Sequence, residues 1–192
     1  DGRTSTGRVT LVGAGPCAVD LMTLRGQRAL ASADVVVYDD LANNELLEFC
    51  PDEAKRIYVG KRAGRHYTPQ DEISAILVAE AKGGNHVVRL KGGDPLIFGR
   101  GGEEMQALAS AGIPCAVVPG ITAAMAAGAG TGIPLTHRED ASAVVFVTGH
   151  ECAGKSAGRN HADWAALAKT GATLCIYMGV RRLPEIAAAL QD

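Results

Sequence analysis

The chain has no surplus of charge of either sign: 19 Lys and Arg stand against 21 Asp and Glu, a formal net charge of -2. Nothing global therefore advertises a nucleic-acid or membrane partner, and any anion site must be local. Long apolar runs are missing too. No stretch approaches the roughly 18 apolar residues that a membrane span needs, and residues 1–7 are polar without an apolar core, unlike a secretory leader. Cysteine is present but never closely spaced. Cys17, Cys50, Cys115, Cys152 and Cys175 lie far apart, which excludes a disulfide framework and a zinc-type spacing, so no metal site is expected and a cytoplasmic address is. What remains, 192 residues that are 47% hydrophobic and 21% charged, is the composition of a globular protein with one sizeable domain or two small ones.

Short apolar runs alternate with helical patterns. Val9 to Val12, Val35 to Tyr38, Arg56 to Val59 and His86 to Leu90 read as strands, with helices over Asp20 to Ser32 and after Thr68, the latter capped by Thr68 with Pro69 in its first turn and closed by Gly83-Gly84. Glu103 to Ala111 reads as a helix opened by two acids, Cys115 to Val118 as a strand, and Ile121 to Gly128 as a tightly packed helix. Strands over Ser142 to Thr148 and Thr173 to Tyr177 follow, with helices over Asp163 to Lys169 and Leu183 to Leu190. This alternation predicts α/β architecture with open, largely parallel sheets, ligands sitting beyond the carboxyl ends of the strands. We divide it into a polar extension or linker over residues 1–7, an N-terminal α/β domain over 8–113 and a C-terminal α/β domain over 114–192.

Two motifs point elsewhere and fail. Gly13-Ala14-Gly15 after the first strand, with Asp39 at the end of the second, invites a dinucleotide reading, but position 18, where the third glycine belongs, is Ala. Gly149 to Ser156 satisfies the phosphate-loop pattern. That loop works only where a helix starts at its Lys-Ser and aims amides at the phosphates, and Ala157-Gly158-Arg159-Asn160-His161 is poor helix sequence.

The stretch from Arg89 to Glu104 is the one around which the chain is organised. Gly92 and Gly93 let a ligand lie against bare peptide groups at a strand's end, and Asp94 can accept hydrogen bonds or face a cation. Basic groups fall in loops expected at the same end: Lys61 and Arg62 in Gly60 to His66, Arg100, and His137 and Arg138 after Thr136. Arg offers paired, planar hydrogen bonds to carboxylates and Lys a mobile point charge, so together Arg62, Arg100, His137 and Arg138 suit a polyanionic small-molecule substrate.

Four separate segments carry a family resemblance, in order and at spacing. They are Val12-Gly13-Ala14-Gly15-Pro16 with Ala33 to Asp39, then Val59 to Gly64, then the central glycine loop, then Val118 to Ala124 with Gly132 to Arg138. The chain from Gly7 onward resembles the tetrapyrrole methylases, and among them the C-methylases of uroporphyrinogen III. The resemblance implies two unlike α/β domains with the active site in the cleft between them, S-adenosylmethionine as cofactor with S-adenosylhomocysteine as its product, and a homodimer. It implies cofactor contacts at Pro16, Gly92, Gly93, Asp94, Ile97, Thr122, Ala123 and Met178, with Asp39 as proton acceptor and Lys61 as proton donor. The expected reaction is double methylation of uroporphyrinogen III, through precorrin-1 to precorrin-2, on the way to sirohaem or cobalamin. The alternatives are a methylase of a later corrin precursor and a cofactor-binding but inactive module. Two departures from the resemblance stand out: members usually carry Gly-Asp where Cys17-Ala18 stand here, and the family continues through further strands beyond the helix after Met178, so the second domain is expected to be incomplete as it stands.

Overall fold

The computed structural model describes residues 6–60, 68–150 and 162–191. The chain divides into two compact units, the first ending at Ala126 and the second beginning at Ala127. Among the described residues, no helix is long and apolar enough to cross a membrane.

In the first unit, β1 (Arg8–Gly13), β2 (Val35–Tyr38), β3 (Lys55–Tyr58), β4 (His86–Lys91) and β5 (Cys115–Val118) form one sheet in the order β3-β2-β4-β1-β5, every pair parallel. Among the described residues, the α-helices α1 (Leu24–Ala31), α2 (Gln70–Lys82) and α3 (Gly101–Ser110) cover it. Their faces follow from the strand order. The connection from β1 to β2 runs one way across the sheet, while those from β3 to β4 and from β4 to β5 run the other way. Right-handed crossovers therefore place α1 on one face and α2 and α3 on the opposite one. The core has this division. Leu30 of α1 packs with Val12, Val36, Val88 and Leu90, and Ile73 and Leu77 of α2 with Leu108 of α3 pack against Val9, Leu11, Val35, Val37 and Val87. Successive strand residues alternate between the two clusters, as a pleated strand buried on both faces requires.

β5 pairs with β1 from Val9↔Cys115 to Val12↔Val118. It is a strand of the first sheet, so the first unit runs past the 113/114 division suggested by the sequence. The first helical pattern is also split. A 3-10 turn over Val19–Leu21 comes first, and α1 starts at Leu24 because Thr23 accepts a hydrogen bond from Gly26 N at 3.1 Å and caps it. α2 begins at Gln70 with Pro69, not Thr68, at its N-cap, and Asp71 and Glu72 lie in its first turn.

In the second unit, β6 (Val144–Thr148) and β7 (Thr173–Tyr177) form a parallel pair, half-buried along their whole length. α5 (Trp164–Ala168) is capped by Asp163, which accepts from Ala166 N at 2.9 Å. α6 (Leu183–Gln191) buries Ile186 against Gly149 and Gly179. Between β5 and β6, α4 (Ala123–Thr131) carries the chain across the division.

At the amino ends of β1 and β4, His86 is buried, with Nδ1 2.8 Å from Ser32 O and Nε2 3.0 Å from Thr10 Oγ1. The carbonyl only accepts, so Nδ1 carries the proton and Nε2 accepts from the Thr10 hydroxyl. Burial lowers the His86 pKa, with a smaller contribution from Arg8, against the opposing Ser32 hydrogen bond and Asp34 charge. A His whose folded pKa lies below its unfolded value, about 6.5, contributes stability that is present above the unfolded value and is lost as pH falls through the folded one. The thermal midpoint is therefore expected to fall more between pH 7.5 and 5 in the wild type than in His86→Gln. Parallel curves would show that His86 does not govern this limb.

Candidate functional site

At the carboxyl ends of β1 and β4 the two following loops are laced together. Ala14 N donates to Lys91 O at 2.7 Å, Gly93 N to Gly15 O at 2.8 Å, and Gly15 N to Gly93 O at 3.2 Å. Gly15 and Gly93 hold φ of +74° and +64°, a region that side chains resist. The loop before α4 closes against both. A Cβ on Gly120 would stand 2.2 Å from Gly93 O and 2.8 Å from Gly13 Cα, whereas one on Gly93 would meet nothing nearer than Thr122 Cα at 3.9 Å. Glycine thus serves two ends here: contact between backbones at Gly120, and a gap left open at Gly93.

Asp94 braces this arrangement. Its Oδ1 accepts from Leu96 N at 2.8 Å and its Oδ2 from Gly120 N at 3.1 Å. Thr122 is buried beside Gly93, and Ala123 opens α4. Pro16, half-buried, follows Gly15, and Ile97, half-buried, continues the loop after β4, its N–H reaching Asp94 O at 3.4 Å. The structure therefore brings Gly92, Gly93, Asp94, Thr122 and Ala123 to one place, with Pro16 and Ile97 on the adjoining backbone.

The loop after β2 joins them. A Cβ on Gly92 would come within 2.5 Å of Leu41 O, which ties this loop to the glycines. Asp39, at its start, accepts from Leu41 N at 3.0 Å through Oδ1 and from Arg89 Nη2 at 2.6 Å through Oδ2. Behind Asp39 lies a charged cluster absent from the sequence reading. Arg89, Lys91 and Glu104 are 2%, 5% and 0% exposed. Glu104 Oε1 accepts from Lys91 Nζ and Gln70 Nε2 at 3.1 Å each and from Arg89 Nε at 3.3 Å. Burial pushes the Lys91 pKa down, the Arg89 charge adds to this, and Glu104 opposes both. The available signal was the spacing of Arg89 and Lys91, which puts both on one face of β4.

Arg100, in left-handed conformation with φ +57°, pairs with Glu103 at 2.7 and 2.9 Å and lines a groove with Gln70 and Ser74 of α2 and Ala107 and Ser110 of α3. In the second unit, His137 Nδ1 lies 2.8 Å from Asp140 Oδ2, and Arg138 is exposed beside it. Met178, just after β7, is 59% exposed with φ +55°. Lys61 and Arg62 lie outside the described residues, as do positions 151–156 of the phosphate-loop pattern. The dinucleotide reading stays rejected for a structural reason as well: the glycine turn after β1 enters a 3-10 turn, and α1 begins only at Leu24, too far on to present its N-terminus to a pyrophosphate at that turn.

Comparison with known proteins gives the family and the fold. The model of the tetrapyrrole (corrin/porphyrin) methylases matches residues 8–192. The siroheme synthase of Baumannia cicadellinicola is 57% identical over 174 residues, covering 91% of this chain and 37% of that protein. The siroheme synthase of Methylococcus capsulatus is 52% identical over 188 residues, covering 98% and 39%. The chain thus spans under two fifths of the length of these curated relatives. Among solved structures, the uroporphyrin-III C-methyltransferase of Thermus thermophilus complexed with S-adenyl homocysteine superposes with a TM-score of 0.77 at 41% identity, covering 96% of this chain and 76% of that one. A cobalt precorrin-4 methyltransferase superposes with a TM-score of 0.83 at 26% identity, covering 100% and 77%. With its five-stranded parallel sheet and small second sheet, the chain belongs to the tetrapyrrole methylases.

Proposed function

We propose that the chain is an S-adenosylmethionine-dependent C-methylase of uroporphyrinogen III, forming precorrin-2 through precorrin-1 in the supply of sirohaem or cobalamin, and that it works as a homodimer. The observation that carries this reading is the glycine-lined gap beside Gly93, into which a side chain would project and which is bordered by Thr122. It fits a folded sulfonium cofactor. Gly92, Gly93 and Ala123 offer bare or nearly bare backbone, Thr122 a hydroxyl, and Pro16 and Ile97 apolar surface. Asp94, whose carboxylate oxygens accept from Leu96 N and Gly120 N, keeps the surrounding loops in register. Met178 takes the cofactor contact of its family position. S-adenosylmethionine supplies an electrophilic methyl group.

The chain's own part is positioning and proton transfer. Uptake of a methyl cation by a pyrrole carbon leaves the macrocycle with one extra positive charge, which it sheds as a proton from another position, and Asp39, at the end of β2 next to the glycine loop, accepts it. Lys61 donates a proton, and Arg62, Arg100, His137 and Arg138 take the substrate's carboxylates. A second reading rests on Cys17, which holds φ +71°, a conformation that favours glycine, the residue the family resemblance leads one to expect there. That strain beside Pro16, with Ala18 in place of an acid, suits a module that binds cofactor without turnover.

Product mass after incubation with S-adenosylmethionine and uroporphyrinogen III separates the two. Gains of one or two methyl groups are expected, and binding of S-adenosylhomocysteine without any gain would favour the inactive module. Asp39→Asn is expected to lower kcat by roughly 100-fold or more while S-adenosylhomocysteine binds as before. Undiminished turnover in that variant would remove Asp39 from the chemistry.

A further inference from the structure

We infer that Glu104 is a positioning residue for methyl transfer: from beneath the sheet it anchors Arg89, and through Arg89 it fixes the carboxylate of Asp39 beside the glycine loop. This rests on the role proposed for Asp39. Glu104 stands in the first turn of α3 and is fully buried. Its Oε1 collects donors from two elements, Gln70 of α2 and Arg89 and Lys91 of β4, while its Oε2 has no hydrogen-bond partner among the described residues.

Arg89 carries the connection onward. Its Nε points to Glu104 at 3.3 Å, its Nη1 to Leu90 O at 3.0 Å and Val37 O at 3.4 Å, and its Nη2 to Asp39 at 2.6 Å. A guanidinium is a rigid planar fork. Fixing its Nε edge therefore fixes the direction from which Nη2 meets Asp39, and the Oδ1 bond from Leu41 N sets the other side of that carboxylate.

A purely stabilising purpose accounts poorly for this cluster. Two cations and two carboxylates are held where apolar side chains of similar volume serve stability as well or better, and the orphaned Oε2 adds a desolvation penalty. Of the four charged side chains, Asp39 is the most accessible, at 20% against 6% or less for the others. The cluster reaches the strand-end loops through that one group, the expected layout when a buried scaffold orients a reacting carboxylate.

The test combines kinetics with a structure, using the full chain. Glu104→Ala removes the anchor, and kcat is expected to fall about tenfold or more. KM for S-adenosylmethionine and the Kd of S-adenosylhomocysteine should stay within about twofold, since the lost interaction matters only in the chemical step. In an Asp39→Asn background the same change should alter kcat by less than about twofold, because the two residues act as one unit. Losses that multiply independently, or a fall in cofactor binding parallel to that in kcat, would mean a general structural role and overturn the proposal. Should the alanine chain not fold, Glu104→Gln decides. It keeps an acceptor without the charge, so an intermediate kcat with unchanged cofactor binding supports the anchor, and wild-type kcat overturns it. If the wild type yields no methylated product, the proposed activity fails on its own. The anchor is then judged in the crystal structure of the folded variant, where Arg89 withdrawn from Asp39 supports it and Arg89 still in contact refutes it.

Discussion

Replacing Gly120 with alanine is expected to lower the proposed methyl transfer by roughly 100-fold, the effect of misplacing bound groups by about 1 Å. The added methyl group would lie 2.2 Å from Gly93 O and 2.8 Å from Gly13 Cα. Both obstacles are backbone, so no rotamer change relieves the clash. Gly93 O accepts from Gly15 N, and Gly120 N donates to Asp94, so a retreat of either loop loosens the lacing around the gap proposed for the cofactor. Affinity for S-adenosylhomocysteine should fall by about tenfold or more, corresponding to some 1.4 kcal/mol. The fold should survive, because overpacking of this kind costs about 1–3 kcal/mol and the core clusters on both faces of the sheet are untouched. Gly102→Ala is the control. It adds a methyl with nothing within 4 Å, in α3 at a position without positive φ, and should leave binding unchanged while raising stability by about 0.4–1 kcal/mol. Calorimetric titration of the two variants reads the contrast, and equal affinities would show that the close approach of Gly120 to Gly93 does not shape the cofactor site.

The strands of the first sheet were legible because burial on both faces writes them as apolar runs, as in Val9 to Val12 and Val35 to Val37. β4 carries the same signal only in part. Arg89 and Lys91 interrupt it, and the sequence reading placed the strand's end before Lys91 although all six residues of β4 are buried. Their partner Glu104 lies on a different element, and its pairing is a tertiary fact that no local pattern encodes. The membership of β5 was hidden for a related reason. Its apolar run is plain, but its alignment with β1, more than 100 residues earlier, depends on a crossover that the sequence leaves open. Helix starts were readable to within a few residues. Thr23, with Gly26 three positions on, is the capping signal that α1 obeys, and the apolar pattern from Asp20 masked it. In the candidate site, the glycines announced a cradle through their backbone freedom, and the loops after β1, β2 and β4 do converge. The use of Asp94 as a brace was not legible, because a turn-forming Asp looks the same whether it faces a ligand or two backbone amides. Nor was the placement of Arg100, whose pairing with Glu103 follows from the local geometry at the start of α3.

Glu104→Ala is expected to destabilise the fold by about 3–5 kcal/mol, the usual consequence of removing one member of a buried ion pair. Arg89 and Lys91, 2% and 5% exposed, would be left with Asp39 as their only carboxylate among the groups now paired in the cluster. A cavity where the side chain stood adds to the loss. Against a total of about 5–15 kcal/mol for a globular domain the variant should still fold, with its thermal midpoint lowered by roughly 10 °C at 2–4 °C per kcal/mol for a chain of this size. The source of the loss can be isolated. If it comes mainly from stranded positive charge, then Lys91→Met, which by itself deprives Glu104 of a partner, should partly offset Glu104→Ala when the two are combined. Burial already pushes the Lys91 pKa down with Glu104 in place, so the ammonium is poorly tolerated there once that carboxylate is gone. The double variant is therefore expected to be more stable than the sum of the single losses by about 0.5–3 kcal/mol. Urea denaturation of the four chains measures this directly, and strictly additive losses would mean that Lys91 and Glu104 contribute by packing and not by their charges.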